Sequence, residues 1–179
     1  MGTRGIRNNN PLNIRRTQTV WKGMKKEVTD KEFVEFNSMA YGYRAAWRIL
    51  FTYFYRFLSL KTPFTVSTII DRWAPPTENP TKAYIDQVLK LTGMGGNERL
   101  YPPYNELGVW KLSSLLAAMT VVECGITPEE VDTEAIKKGY TLAFDRPFPT
   151  ETMDEEDNNS PQDEMNVMWD EYWDWSPQA

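Results

Sequence analysis

Between Met39 and Leu58 the chain carries Tyr43, Ala46, Trp47, Leu50, Phe51, Phe54, Phe57 and Leu58 at steps of three and four residues. That spacing lays apolar side chains along one face of an α-helix. A face so broad and aromatic must be covered, so the sequence predicts a long helix with Trp47 in the core, Ser38 placed to cap it, and the rest of the domain packed against it. The same periodicity and punctuation set the other helices. After Pro63, Thr65 or Ser67 opens a shorter one ending near Trp73. Thr81 opens TKAYIDQVLKLTG, which Gly93 stops. Another runs from about Gly108 to Glu123, with Leu112, Leu115, Leu116, Met119 and Val122 inward and Gly125 ending it. Thr127, with Pro128 at the first helical position and two acids behind it, starts a last helix reaching Phe144.

Two stretches lack the helical period. The opening segment, with three asparagines and Pro11, reads as a loop. In residues 18–36, TVWKGMKKE and EFVEF flank a turn at Thr29, Asp30 and Lys31, which predicts one small β-hairpin. The expected fold is therefore mainly α, a helical domain over 1–146 with one hairpin, followed by a tail over 147–179. Charge divides the chain in the same way. Ten of the 25 acids and none of the 20 bases fall in 151–179, so residues 1–150 carry +5 and the remainder −10. A mildly basic body suits an anionic partner. The tail places Trp169, Tyr172, Trp173 and Trp175 among its acids. Tryptophans at that density are foreign to a purely solvating segment and point to docking on a partner protein.

Composition removes several kinds of chemistry. The chain has no histidine and a single cysteine, Cys124. An imidazole-based metal site, a Ser-His-Asp or Cys-His nucleophile and an internal disulfide are all excluded. Catalysis would rest on carboxylates, tyrosine, lysine or backbone groups, and no metal or cofactor is expected. The residues MGTRGIRNNNP have no apolar stretch, so no signal peptide is expected. No apolar run approaches the ~20 residues of a membrane span. The basic residues are scattered, with only Arg15-Arg16 and Lys25-Lys26 paired, which argues against a nucleic-acid partner.

The segments GIRNNNPLNIRRTQTVWKG, FVEFNSMAYGYRAAWRIL and IIDRWAPPTENPTKAYIDQVLKLTG resemble a family of short phage and prophage proteins. These are labelled virion structural proteins of the corticovirus kind, with a lysozyme-like domain. The resemblance covers roughly residues 4–140. It implies a fold related to lytic transglycosylases and flagellar-type glucosaminidases, with peptidoglycan as partner and a place in the virion, or in the host cytoplasm before assembly. NNNPLNI is similar to the Asn-Asn-hydrophobic segment of those enzymes, and PTENPTKAYIDQV to the segment that opens their closing helix. Their first piece, a helix ending in a catalytic Glu, is missing upstream. LLAAMTVVECG, ending in Glu123-Cys124-Gly125, takes that part at the far end, which implies a circular permutation.

Two carboxylates are the candidate catalytic residues. Glu123 follows Met119 by four residues and Leu116 by seven, at the rim of an apolar face, where partial desolvation raises a carboxyl toward the range of a general acid. Glycosidic cleavage needs such an acid beside the leaving oxygen. Glu27 resembles in position the auxiliary Glu on the flagellar-type hairpin, with Glu32 and Glu35 competing for that role, while the plainer reading of Glu27 is a surface residue balancing Lys25 and Lys26. Resemblance and side-chain chemistry make Asn9, Asn10, Asn13, Trp21, Trp73 and Tyr84 candidate substrate-binding residues. The asparagines offer hydrogen bonds to N-acetyl groups and the tryptophans offer stacking faces, while Glu78 and Asn79 are placed to cap the next helix. The function expected is glycan-strand cleavage in peptidoglycan, of lysozyme or lytic-transglycosylase type. The alternative is a non-catalytic, lysozyme-fold virion structural or assembly protein.

Overall fold

The computed structural model describes residues 2–77 and 80–150, and the fold is that of the compact unit Met1–Pro149. The cap candidates Glu78 and Asn79 and the tail aromatics Trp169, Tyr172, Trp173 and Trp175 lie outside the described residues. The unit is mainly α. Its helices are α1 (Arg4–Arg7), α2 (Met39–Ser59), α3 (Val66–Trp73), α4 (Thr81–Thr92), α5 (Glu106–Cys124) and α6 (Thr133–Phe144), with a 3-10 turn at Pro128–Glu130.

Local chemistry accounts for most of the helix ends. Thr65 and Thr68 form a capping box at the start of α3, satisfying backbone groups that helix termini leave open. Asn105 caps α5 by accepting from the Gly108 amide, and Gly125 ends it in the left-handed region. Gly93 ends α4 likewise. Ser38 precedes α2 in extended conformation without a side-chain cap bond. Pro80, not Thr81, occupies the cap position of α4, and the Thr81 hydroxyl instead donates to the Ala74 carbonyl. The segment after Gly125 divides at Val131: Thr127 and Glu130 close a capping box on the 3-10 turn, and Asp132 caps α6.

The core lies between α2, α5 and α6. Trp47 is fully buried. It donates through Nε1 to the Ile136 carbonyl over 3.1 Å and meets the Tyr140 ring edge-on at 5.2 Å. Close approach of α2 and α6 rests on Gly139, where a Cβ would stand 2.7 Å from the Tyr43 Cβ. Tyr43 finds its polar partner in the Thr120 hydroxyl of α5, 3.0 Å away. Helix α5 is 19 residues long with a mean hydropathy of 1.4. By length and composition alone it is long and apolar enough to cross a membrane. Its apolarity is spent on the core, where Leu112, Leu115, Leu116 and Met119 are fully buried. The packed body also runs beyond residue 146, since Phe148 meets Trp110 at 4.9 Å and Tyr140 at 5.6 Å.

The expected hairpin is a correction. Residues 15–36 form a looped flap held by two isolated antiparallel bridges, Arg15 to Phe33 and Met24 to Phe36. Charged side chains, not a strand ladder, organise it. Glu35 is 3% exposed. Its carboxylate accepts from the Thr29 amide (2.7 Å), the Thr29 hydroxyl and the Asp30 amide (2.8 Å), and Arg16 lies 3.6 Å away. Asp30 accepts from Asn8 and from the amides of Glu32 and Phe33. A carboxylate drawing in backbone N–H groups bends the chain away from the extended register a ladder requires. Val34, Phe36, Ile14 and Ala45 form a small second core beneath the flap, with Trp21, Met24, Tyr41 and Trp73 packed on it.

Candidate active site

The loop Asn8–Ile14 carries the first side of the site. Asn9 and Asn13 adopt positive φ, 51° and 47°, a conformation asparagine tolerates better than other non-glycine residues. Asn9 donates to the Phe36 carbonyl. Asn10 is fully buried, donates to the carbonyls of Ile14 and Val34, and accepts from the Ile14 amide. By sequence both are candidate sugar ligands. The structure commits them to shaping the loop, and Asn10 has no surface left to offer. The loop also lies hard against α2, because a Cβ on Gly42 would stand 2.2 Å from the Asn9 carbonyl oxygen.

Asn13 is turned the other way, toward the end of α5. Its Nδ2 donates to the Glu123 backbone carbonyl over 3.0 Å and to Glu123 Oε2 over 3.1 Å. The second carboxylate oxygen, Oε1, accepts from Trp73 Nε1 at 3.2 Å and from the Tyr84 hydroxyl at 3.0 Å. Four residues spread from position 13 to position 123 thus meet on one carboxyl group. Helix α3 delivers Trp73 from its last residue, α4 delivers Tyr84 from its first turn, and α5 delivers Glu123 one residue before its end. Beneath them Gly5 is a cradle, since a Cβ there would stand 2.6 Å from Cys124 Sγ and 3.1 Å from Asn13 Oδ1. Neither Gly5 nor the short α1 that carries it stood out in the sequence.

Burial raises the Glu123 carboxyl above its ordinary pKa, and the hydrogen bonds from Asn13, Tyr84 and Trp73 offset that only in part. Burial also pushes the Tyr84 phenol up, reinforced by the neighbouring Glu123 charge, so this hydroxyl keeps its proton and acts as a donor. The Cys124 thiol is raised by burial as well and donates to the Pro11 carbonyl at 3.3 Å, which ties the asparagine loop to α5.

The other candidates stand apart. Glu27 is exposed on the flap and makes none of the contacts around Glu123. Glu32 is exposed and pairs with Arg4 at 2.9 Å, and Glu35 is the flap's internal anchor. Trp21 is half-buried on the small second core. Trp73, read as a stacking face, is half-buried and spends its N–H on Glu123.

No family model matches the sequence. The chain is similar to protein P5 of Pseudoalteromonas phage PM2, with 36% identity over 148 residues that cover 79% of this chain and 82% of that protein.

Proposed function

The chain belongs to the family of protein P5 of Pseudoalteromonas phage PM2, and on that premise we propose that it is a virion-associated protein that cleaves the glycan strands of peptidoglycan, with Glu123 as general acid. On this reading the helical body is a lysozyme-like domain, permuted so that the acid-bearing helix follows the asparagine loop. The observation that carries the reading is the Glu123 carboxyl itself, partly buried, raised in pKa and ringed by Asn13, Trp73 and Tyr84.

The ring of donors also selects which oxygen works. An indole N–H can only donate, so Oε1 is held as the carbonyl-type oxygen of the protonated acid. Asn13 is fixed in orientation because its amide N–H₂ also serves the Glu123 backbone carbonyl. The transferable proton therefore belongs on Oε2, on the side that Asn13 leaves open. Cleavage moves that proton to the glycosidic oxygen as the bond from the anomeric carbon to that oxygen breaks, leaving an oxocarbenium-like sugar. The carboxylate so formed keeps all three donors, which lowers the cost of its charge. It then takes a proton from the attacking hydroxyl, of water or of the sugar itself, and the acid is restored. Among the described residues no neighbouring carboxylate contributes to the shift on Glu123, which favours a scheme in which one group serves as acid and then as base.

Zymography on purified peptidoglycan with the wild type and Glu123→Gln tests the proposal. Clearing by the wild type alone supports it. A folded wild type that clears nothing sinks it in favour of a non-catalytic assembly role.

A further inference from the structure

The positive charge of the body is concentrated in one stretch. Residues 1–31 hold eight bases against Glu27 and Asp30, a net of +6, while residues 32–150 hold twelve bases and thirteen acids, a net of −1. The whole excess therefore lies in α1 and the flap. Packing gathers it, because Arg4 of α1 reaches Asp30 and Glu32 of the flap and Asn8 donates to Asp30. With Arg16 against Glu35, these contacts use every flap acid except Glu27. Among the described residues, Arg7, Arg15, Lys22, Lys25, Lys26 and Lys31 take part in none of the ion pairs, and all but Lys25 are exposed. Val20 and Val28 stand among these cations, 83% and 52% exposed, so the face offers apolar contact as well as charge.

The same chain carries a segment of matching chemistry. Residues 151–179 hold ten acids, no base and the tryptophans Trp169, Trp173 and Trp175. Mutual repulsion of the acids is relieved where cations meet them, and each tryptophan can bury ~150–250 Å² on a partner. The body sets the root of that segment far from the basic face. Phe148 packs on Trp110, near the start of α5. The asparagine loop and α1 sit at the other end of α5, where Asn13 holds Glu123 and Gly5 lies against Cys124. Fourteen residues separate Trp110 from Cys124, about 21 Å of helix. Root and basic face at opposite ends of one helix suit a contact made from one copy to the next.

We propose that the face formed by α1 and the flap is a docking surface for the acidic, tryptophan-bearing residues 151–179 of a second copy of this chain. The contact is heterologous, since the surface that gives differs from the surface that receives. It does not involve Glu123, and glycan cleavage is not required for it.

Sedimentation equilibrium of the full chain tests it at about 0.05 M and about 0.5 M salt, where screening of exposed charges differs strongly. The wild type should gain mass with concentration at low salt and return to monomer at high salt. Two full-length variants should each associate about tenfold more weakly or less, the sum of several weak exposed pairs. One carries Lys22→Gln, Lys26→Gln and Lys31→Gln on the face; the other has the ten acids of 151–179 replaced by their amides. Mixed together they should form a one-to-one heterodimer, because the first still gives an acidic segment and the second still receives one. That recovery also shows that both are folded. Lys82→Gln, Lys90→Gln and Lys138→Gln, an equal loss of charge elsewhere, should leave association unchanged. A wild type that stays monomeric at low salt overturns the proposal, as does a mixture that fails to associate. Weakening by only one of the two variants overturns it too, since the flap or the acidic segment then meets some other surface. Equal weakening by the control reduces the attraction to net charge and overturns it as well.

Discussion

Trp73 and Glu123 lie 50 residues apart in sequence and are joined by a hydrogen bond that can run in only one direction, from indole Nε1 to carboxyl Oε1 across 3.2 Å. Trp73 also packs on both hydrophobic clusters, the large core and the small one beneath the flap. The contact that orients the acid is therefore also the contact that joins the flap to the helical body. A disturbance of the flap reaches Glu123 through the tryptophan, even though Glu27 and its neighbours never touch it.

Activity should accordingly separate the two carboxylates. Glu123→Gln is expected to lower the rate of glycan cleavage by roughly a hundredfold to ten-thousandfold, the usual contribution of a positioned general acid. Glu27→Gln should stay within about twofold of wild type, because an exposed flap carboxylate is readily replaced by water. Rates measured on soluble glycan strands decide the matter. An inactive Glu27→Gln beside an active Glu123→Gln would reverse the roles.

Acidity gives a second handle, with a definite sign. The hydrogen bond from Tyr84 lowers the Glu123 pKa against the upward push of burial. Tyr84→Phe removes that bond, so the pKa rises further and the basic limb of the rate profile moves to higher pH. Stability follows the same sign. A carboxyl raised in the folded state contributes stability below its unfolded value of 4.5, and that contribution is lost as pH rises through the folded pKa. Melting temperatures of Glu123→Gln and wild type should therefore diverge in favour of the variant as pH is raised from about 4.5, the carboxyl's unfolded reference. A constant difference across that range would mean that the folded carboxyl is no more reluctant to ionise than the unfolded one.

The flap should respond in the opposite direction. Burial pushes Glu35 up, but the hydrogen bonds from Thr29 and Asp30 outweigh it and leave the pKa below the ordinary value. Asp30 is lowered chiefly by the hydrogen bond from Asn8. Such groups stabilise the fold above their unfolded pKa values, and the benefit is lost as pH falls through the lower folded ones. Glu35→Gln sets an amide N–H₂ against the N–H and O–H donors of residues 29 and 30. It should cost about 1–3 kcal/mol at neutral pH and flatten the acid limb of the stability curve. Chemical denaturation at pH 7 and at pH 3 measures both.

Much of the helical frame was legible because apolar periodicity and stop signals are local. The stripe from Tyr43 to Leu58 gave α2 to within a residue at its end, and Gly93 and Gly125 marked the ends of α4 and α5. The flap was not legible as what it is. TVWKGMKKE and EFVEF alternate well enough to suggest strands, but the bend depends on Glu35 reaching back to residues 29 and 30, a choice made in three dimensions. Asn9 and Asn10 misled in the same way, since asparagines that shape a loop through carbonyls of Phe36 and Val34 look in sequence like asparagines that face a ligand. Glu123, Asn13, Trp73 and Tyr84 were each found separately, through helix spacing or resemblance. Their meeting on a single carboxyl could be read only from the packing of α3, α4 and α5.

The boundary of the body offers a last measurement. A cut after Asp145, at the end of α6, follows the loss of helical period in the sequence. The structure continues the packing past that point, with Phe148 against Trp110 of α5 and Tyr140 of α6. Truncation after Asp145 therefore strips a partly buried ring from two helices, whereas truncation after Pro149 leaves it in place. The longer form should melt close to the full chain, because residues 151–179 add ten acids and no base. The shorter form should be less stable by about 1–3 kcal/mol, below the ~3–5 kcal/mol of deleting a fully buried phenylalanine. Comparing the two truncations with full-length Phe148→Ala assigns the difference. If Phe148→Ala matches the shorter truncation, the ring accounts for it. If both truncations melt equally far below the full chain, residues 150–179 stabilise the body and the tail is more than a docking segment. If the longer form melts like the full chain yet no longer binds virion or assembly proteins, the tail's acids and tryptophans act on a partner.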